Sequence, residues 1–414
     1  MSMLKIVYPI CCGIDVHKTF VVACIASTSD KGVTTYQTKR FSTYTKGLRE
    51  LATWLAKNNC KDVCMESTGK YWHPVWNILE LSCTPVLAHP KYLKAIRGKK
   101  TDKKDAKWIA DVFKHDLVSG SFIPPANIRE IRDLMRYRVK LTNYNTGEKN
   151  RVQNCLTTSN IQLDHAFSDV FGKSATVILN HMLENPDKPN FDVAPFVDGR
   201  CKTPIEEIQL SIDGKLSHEQ AEKLKVIRSH MDTLAFCKQN LESTILSVAE
   251  PLRPQIDLVS SVPGIRDFSA IAIIGEIGTD MSVFPTAKHL CSWAGVAPQC
   301  NESGGKKKSS RVSRAGAFIK PLLVQCANAA VKSNKHPEIK NRYLAIKKRR
   351  GHKKAIIATA RMLLTAIFNI LKKSEPYNPN CFRKNDIAPL DPVQRAIILL
   401  QRRGYSILKA DLFA

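Results

Sequence analysis

Four acidic residues in the first quarter of this 414-residue chain have the types and spacing to do chemistry. Asp15 interrupts an apolar, strand-like run from Ile10 to Ser27. Glu66 ends a second short apolar segment, Asp62-Val63-Cys64-Met65-Glu66. Asp102 and Asp105 open a helical pattern three residues apart and so share one face. A charge inside a buried strand is costly unless it is paired or ligates a metal. Carboxylates from two strands and one helix face are the donor set for Mg²⁺ at phosphodiesters, where two ions ~4 Å apart clamp the attacking and leaving oxygens. Taken alone, Asp102 also reads as a helix N-terminal acid favoured by the dipole, with Asp105 paired to Lys103 or Lys104. Asp15 has no such bland explanation. His17 and His73 lie nearby and read as structural, since Mg²⁺ prefers oxygen ligands.

A second candidate lies far downstream. Residues 303–320 contain six Lys or Arg and no acid. Ser303 precedes Gly304-Gly305 and is followed by Lys306, Lys307, Lys308, Arg311 and Arg314. A serine hydroxyl needs activation to act as a nucleophile. Neighbouring cations can stabilise charge developing on phosphorus. Ser309, Ser310 and Ser313 compete for the role. The alternative is a solvated loop that grips phosphates without chemistry.

These residues need elements to hold them. The first 160 residues read as strands followed by alternating helices and strands, an α/β domain with a mixed sheet. Over 161–260 acids outnumber bases, for a net charge of −5 against +26 for the whole chain. Within that stretch Ser217 reads as an N-cap. Leu224, Ile227, Met231, Leu234, Leu241, Ile245 and Val248 then follow three–four spacing. The stripe is either a coiled-coil seam between subunits or an intramolecular helical hairpin. A third, mostly helical region spans 257–376. It opens on Val262-Pro263-Gly264-Ile265, like the turn of a helix-hairpin-helix whose amides can hold a phosphate. The tail, 377–414, has no legible pattern beyond a small helix from Val393 to Arg402.

A pI near 9.6 points to a polyanionic partner, most simply nucleic acid. The cations cluster. Eight lie in residues 91–107, including Lys99, Lys100, Lys103 and Lys104, and ten in residues 332–354, including Lys347, Lys348, Arg349 and Arg350. Both runs suit a phosphate backbone, although a solvated helix face explains the second as well. Tyr71, Trp72 and Trp76 read as helix core, or as rings on which a base could stack. Thirteen cysteines without a CxxC pair argue against a zinc ribbon and for small packed hydrophobes in a reduced, cytoplasmic protein. No membrane span and no signal peptide are expected; Asp15 would interrupt a signal-peptide core.

Three blocks, Gly13-Ile14-Asp15-Val16-His17-Lys18, Met65-Glu66-Ser67-Thr68-Gly69-Lys70-Tyr71 and Lys100-Thr101-Asp102-Lys103-Lys104-Asp105-Ala106, resemble in order and spacing the DEDD transposases of the insertion-sequence "one-ten" family, which includes the Piv-type DNA invertases. Val262-Pro263-Gly264-Ile265, Trp293-Ala294-Gly295-Val296-Ala297-Pro298 and Glu302-Ser303-Gly304-Gly305 extend the resemblance, which covers about 10–160 and 257–370. It departs at Arg314-Ala315-Gly316-Ala317, where a Lys-x-Gly-Asn-like element is expected.

The resemblance implies an RNase H-like (RuvC-like) α/β domain at the N-terminus, a coiled-coil middle and a mostly α C-terminal transposase domain. Asp15, Glu66, Asp102 and Asp105 would ligate Mg²⁺ and Ser303 would be the nucleophile. It further implies a homo-oligomer, dimer or tetramer, acting on DNA in a bacterial or archaeal cytoplasm with a structured non-coding guide RNA. The residues alone leave two rivals, a junction-resolving nuclease that uses only the carboxylates and a non-catalytic basic nucleic-acid-binding protein.

Overall fold

A computed structural model describes residues 4–90, 93, 101–185, 191–299, 301–304, 306–309, 311–382, 396–397 and 399–401; for 301–303, 306–308 and 381–382 it describes the backbone alone. Lys99 and Lys100, and most of the Val393–Arg402 segment, lie outside the described residues. The chain divides into two compact units, 1–123 and 124–414.

In the first unit β1 (Ile10–Val16), β2 (Phe20–Thr28) and β3 (Thr34–Ser42) form an antiparallel meander. Then follow α1 (Thr45–Lys57), β4 (Asp62–Glu66), α2 (Trp72–Leu79), β5 (Thr84–Ala88) and α3 (Asp102–Lys114). The sheet order is β3-β2-β1-β4-β5, with β4 parallel to β1 and β5 parallel to β4. The run from Ile10 to Ser27 is thus two strands, not one. His17-Lys18-Thr19 reverse the chain, and the His17 amide donates to the Phe20 carbonyl at 3.0 Å. Asp15 therefore lies at the end of β1, beside a tight turn, rather than at a strand centre.

Side chains alternate across a strand, and the sheet is covered on both faces. Cys12, Ile14, Val63 and Met65 pack on Leu48, Leu51 and Leu55 of α1 and on Val75 and Leu79 of α2. Trp72 and Trp76 belong to this core, so the aromatic patch is packing. Burial of each such side chain contributes ~1.5–3 kcal/mol. On the opposite face Cys11 and Cys64 meet Ile109, Ala110 and Phe113 of α3. Burial pushes the thiols of Cys11, Cys60 and Cys64 up to about 12, which leaves them unreactive space-fillers.

Gly13 lies between Cys11 and Asp15 on the α3 face. A Cβ there would sit 2.3 Å from both the Ala106 carbonyl and the Ala110 nitrogen. Only glycine admits a helix backbone that close. The far end of α3 is tied to the sheet by Lys114 on Asp111 at 3.0 Å and by the Tyr36 hydroxyl donating to Asp111 at 2.5 Å.

The second unit is helical apart from one hairpin. It contains α4 (Ala126–Thr158), α5 (Leu163–Ala166), α6 (Lys173–Glu184), α7 (Ile205–Ser211), α8 (His218–Ala249), α9 (Arg253–Ser260), α10 (Asp267–Ile277) and α11 (Ala287–Trp293). The hairpin β6 (Asn301–Ser303) and β7 (Lys306–Ser309) follows, then α12 (Ile319–Lys332), α13 (Pro337–Arg350) and α14 (His352–Lys373). α4 and α8 pair antiparallel, with Arg138 on Glu242 at 2.6 Å and Glu148 on His230 at 2.9 Å. Leu224 and Ile227 of the expected heptad stripe pack with Val152, Cys155 and Leu156 of α4. The stripe is thus occupied within the chain, as an intramolecular hairpin. α4 ends at Thr158, close to the boundary expected at 160, but its partners α8 and α10 belong to the second unit.

Some of the basic charge is structural. Arg136 grips the buried Glu276 carboxylate in a fork at 2.7 and 2.8 Å, and Arg132 donates to the Gly275 and Glu276 carbonyls. The Val262-Pro263-Gly264-Ile265 turn does join two helices, but Gly264 (φ +82°) serves close packing: a Cβ there would sit 2.3 Å from the Cys326 carbonyl of α12. By length and composition alone α14 could cross a membrane, but its place in the fold gives it another role. It packs against α11, α12 and α13 with most of its apolar residues buried, as a core helix does.

Gly13→Ala should lower stability by roughly 2–4 kcal/mol, because two backbone atoms must yield to one methyl. Urea unfolding of the variant against the parent chain measures this, with the m-value unchanged if α3 merely moves.

Candidate active site

The period-two alternation that puts Gly13 against α3 also turns Asp15 to that face. Cys64 is the partner of Gly13 in the β1–β4 register, so two residues on Glu66 flanks Asp15 at the same sheet edge. α3 completes the arrangement. Its buried stripe is Ala106, Ile109, Ala110 and Phe113, and Asp102 and Asp105 continue that stripe into the first turn. Thr101 caps the helix by accepting from the Lys104 amide at 3.4 Å. Carboxylates in the first turn are favoured by the helix dipole. Lys103 and Lys104 share that turn and are exposed.

Asp15, His17 and Asp102 place one ligand-type atom each within 4.8 Å of one another. The His17 ring nitrogen Nε2 lies 3.0 Å from Asp15 Oδ2 and 3.7 Å from Asp102 Oδ1. Asp15 is 7% exposed. Burial raises its carboxyl above the usual carboxylate range; His17 opposes the rise, and Asp105 and Asp102 add to it. A buried carboxylate with two more acids near it is short of positive charge, and a divalent cation is the ligand that supplies it. Oxygen donors gathered at one strand end and one helix end fit that group. Sequence reasoning saw the carboxylates but gave His17 no contact. The signal was its place two residues after Asp15 in a turn too short to carry it away. His73 instead stacks on Trp72, with ring centroids 3.8 Å apart.

The serine segment takes defined form in the second unit. Ser303 ends β6 and pairs with Lys306 of β7. Gly304 has φ +58°, as tight hairpin turns demand. A bridge between Pro298 and Val312 closes the hairpin base. Of the competitors, Ser309 accepts from the Arg311 amide at 3.2 Å and Ser313 from the Ala315 amide at 3.3 Å, both in local turns. Gly295 (φ +68°) and Gly316 (φ +69°) approach each other's segments so closely that a Cβ on either would meet a carbonyl at 2.3 or 2.2 Å. This contact explains why Trp293-Ala294-Gly295 and Arg314-Ala315-Gly316 bracket the hairpin. Arg311 and Arg314 are exposed, as are Lys347, Lys348, Arg349 and Arg350 at the end of α13.

Two family models match the chain. One described as a transposase, DEDD_Tnp_IS110, matches residues 12–161, and one described as the transposase IS116/IS110/IS902 family matches residues 256–344. An uncharacterized 43.6 kDa protein of insertion element IS110 from Streptomyces coelicolor is 30% identical over 144 residues, covering 34% of each chain. An uncharacterized 42 kDa protein of insertion element IS900 from Mycobacterium paratuberculosis is 27% identical over 125 residues, 30% of this chain and 31% of its own. A pilin gene-inverting protein from Moraxella bovis is 27% identical over 143 residues, 32% of this chain and 42% of its own. The matched segments thus span only 31–42% of these relatives' lengths.

Asp15 carries a signature testable without substrate. Its folded-state pKa is raised, so the penalty for ionising it is absent at pH below its unfolded value and grows as pH rises through the folded one. In chelator, Asp15→Asn should therefore raise the unfolding midpoint at neutral pH, and the gain should shrink as pH falls toward about 4. A gain independent of pH would show that Asp15 is not held against its charge.

Proposed function

The chain belongs to the IS110 family of transposases, and on that premise we propose that it cuts and rejoins DNA strands at the ends of a mobile element and at a target. The observation that carries this reading is the gathering of Asp15, Asp102 and, by register and helix face, Glu66 and Asp105 on one side of the sheet. These four would hold Mg²⁺, which when bound polarises a phosphodiester and lowers the barrier to attack on phosphorus. Asp15 and Asp102 supply the oxygens nearest each other, and His17 holds Asp15 in place by its 3.0 Å contact.

Ser303 is proposed as the nucleophile. Its oxygen bonds to phosphorus, one phosphorus–oxygen bond to deoxyribose breaks, and the freed hydroxyl takes up the serine proton. Attack by a hydroxyl of another strand reverses the step and restores the serine, so joining needs no external energy source. The turn at Gly304 would hold the serine in a cationic stretch of chain, with Lys306, Lys307 and Lys308 next in sequence and Arg311 and Arg314 beyond. Lys99, Lys100, Lys103 and Lys104 would track the strand into the metal site, and Lys347 to Arg350 would bind phosphate in the second unit. A structured non-coding RNA as guide and a homo-oligomer as the acting form belong to the same proposal. Val226 and Phe236 of α8, 69% and 64% exposed, offer a subunit contact that α4 does not use.

Incubating the chain with element-end DNA and Mg²⁺, then denaturing, should trap a protein–DNA adduct. Ser303→Ala should abolish the adduct, whereas Glu66→Gln should cut its yield by at least about a hundredfold. Strand cutting that persists in Ser303→Ala without an adduct would instead identify a nuclease that uses the carboxylates alone. DNA binding insensitive to Mg²⁺ and to Asp15→Asn, with no cutting, would leave a binding protein.

A further inference from the structure

The second unit holds a cavity of about 1050 Å³ for which neither the carboxylates nor Ser303 accounts. One face of α14 builds most of it, through residues three and four apart: Lys353, Lys354, Ile357, Ala358, Arg361 and Met362. Arg342 of α13 reaches it from one side. The base of the β6–β7 hairpin closes another, through Val296, Arg311 and Val312.

Its wall is cationic. Among the described residues, Arg311, Arg342, Lys353, Lys354 and Arg361 have no ion-pair partner and no acid lines the cavity. Two of these cations are placed against local stability. Lys353 and Lys354 occupy the first turn of α14, where the helix dipole is already positive. That turn contains no acid, and Gly351 before it gives no side-chain cap. Each lysine there is unfavourable to the helix until an anion binds beside it. The floor is a different matter. Val296, Val312, Ile357, Ala358 and Met362 make it apolar. A free phosphate gains nothing from such a floor. A duplex gains little, since its base faces are stacked on one another. Anionic phosphate joined to an exposed apolar base face is the chemistry of an unpaired nucleotide.

We propose that this cavity seats an unpaired nucleotide of a nucleic-acid strand, its phosphate among the five cations and its base over Ile357, Ala358 and Met362. The proposal rests on the reading that the chain handles nucleic acid, but it needs neither the metal nor the serine. A strand displaced from DNA and a loop of RNA share this chemistry.

The test uses the full chain with short duplex probes carrying one bulged nucleotide, its base bearing a photoreactive diazirine. The probes are made in DNA and in RNA, with fully paired controls. Mass spectrometry should map crosslinks from at least one bulged probe to peptides containing Val296–Val312 or Ile357–Met362, with little from paired probes. Whichever arm crosslinks identifies the source strand. Ala358→Trp fills the cavity without removing charge and should abolish these crosslinks while helix content by circular dichroism stays unchanged. Arg342→Gln with Lys354→Gln, both on exposed side chains, should lower the slope of log affinity against log salt by about 2. Crosslinks elsewhere, equal yields from paired probes, or an unaltered yield in Ala358→Trp would overturn the proposal and leave the functional reading standing. A chain that binds no probe would sink both.

Discussion

At Gly13 the backbones of β1 and α3 approach until a single methyl group would stand 2.3 Å from two main-chain atoms. The proposed metal site depends on that approach. A bulkier residue would lift α3, and with it Asp102 and Asp105, away from the end of β1. Hydrophobic burial supplies the force on either side, through Cys11 and Cys64 against Ile109, Ala110 and Phe113. The Lys114–Asp111–Tyr36 contacts fix the other end of the helix. The four carboxylates therefore sit on rigid elements, two at strand ends and two in a capped first turn, which a catalytic constellation requires. The strain is electrostatic: a buried carboxyl is held near like charges, with His17 at hydrogen-bonding distance, 3.0 Å, to offset them.

The charge of +26 divides into parts with different work. Some cations are structural, as Arg132 and Arg136 around Glu276 show. Others have no ion-pair partner among the described residues and border the hairpin and the start of α14. That second group makes the C-terminal unit suited to a polyanion, while its apolar helices α10, α12 and α14 hold the surface in shape. The acidic stretch, by contrast, forms a packed helical layer in which α8 leans on α4.

Much of this was legible in the residues. The three motif blocks carried the carboxylates, and period-two and three–four patterns located the elements of the first unit within a few residues. The hairpin at His17-Lys18-Thr19 was not legible, because apolar residues continue on both sides and no glycine or proline marks the turn. The partner of the α8 stripe was equally hidden: three–four spacing states that a face is buried, not whether its cover comes from α4 or from another chain. Gly295 and Gly316 had no sequence signal linking them, since their contact is made in space across twenty residues. Arg361 escaped notice because it sits alone in an apolar helix, and only the fold brings it to Arg311 and Arg342.

Iron-directed backbone cleavage tests the central claim, that the carboxylates form one divalent-metal centre, most directly. Fe²⁺ added to the metal-free chain with ascorbate and peroxide cuts peptide bonds next to where it binds. A single centre gives cuts clustered near Asp15–Lys18, Glu66–Ser67 and Thr101–Asp105, all suppressed together by excess Mg²⁺. Cuts scattered along the chain, or confined to any one of these segments, would contradict it.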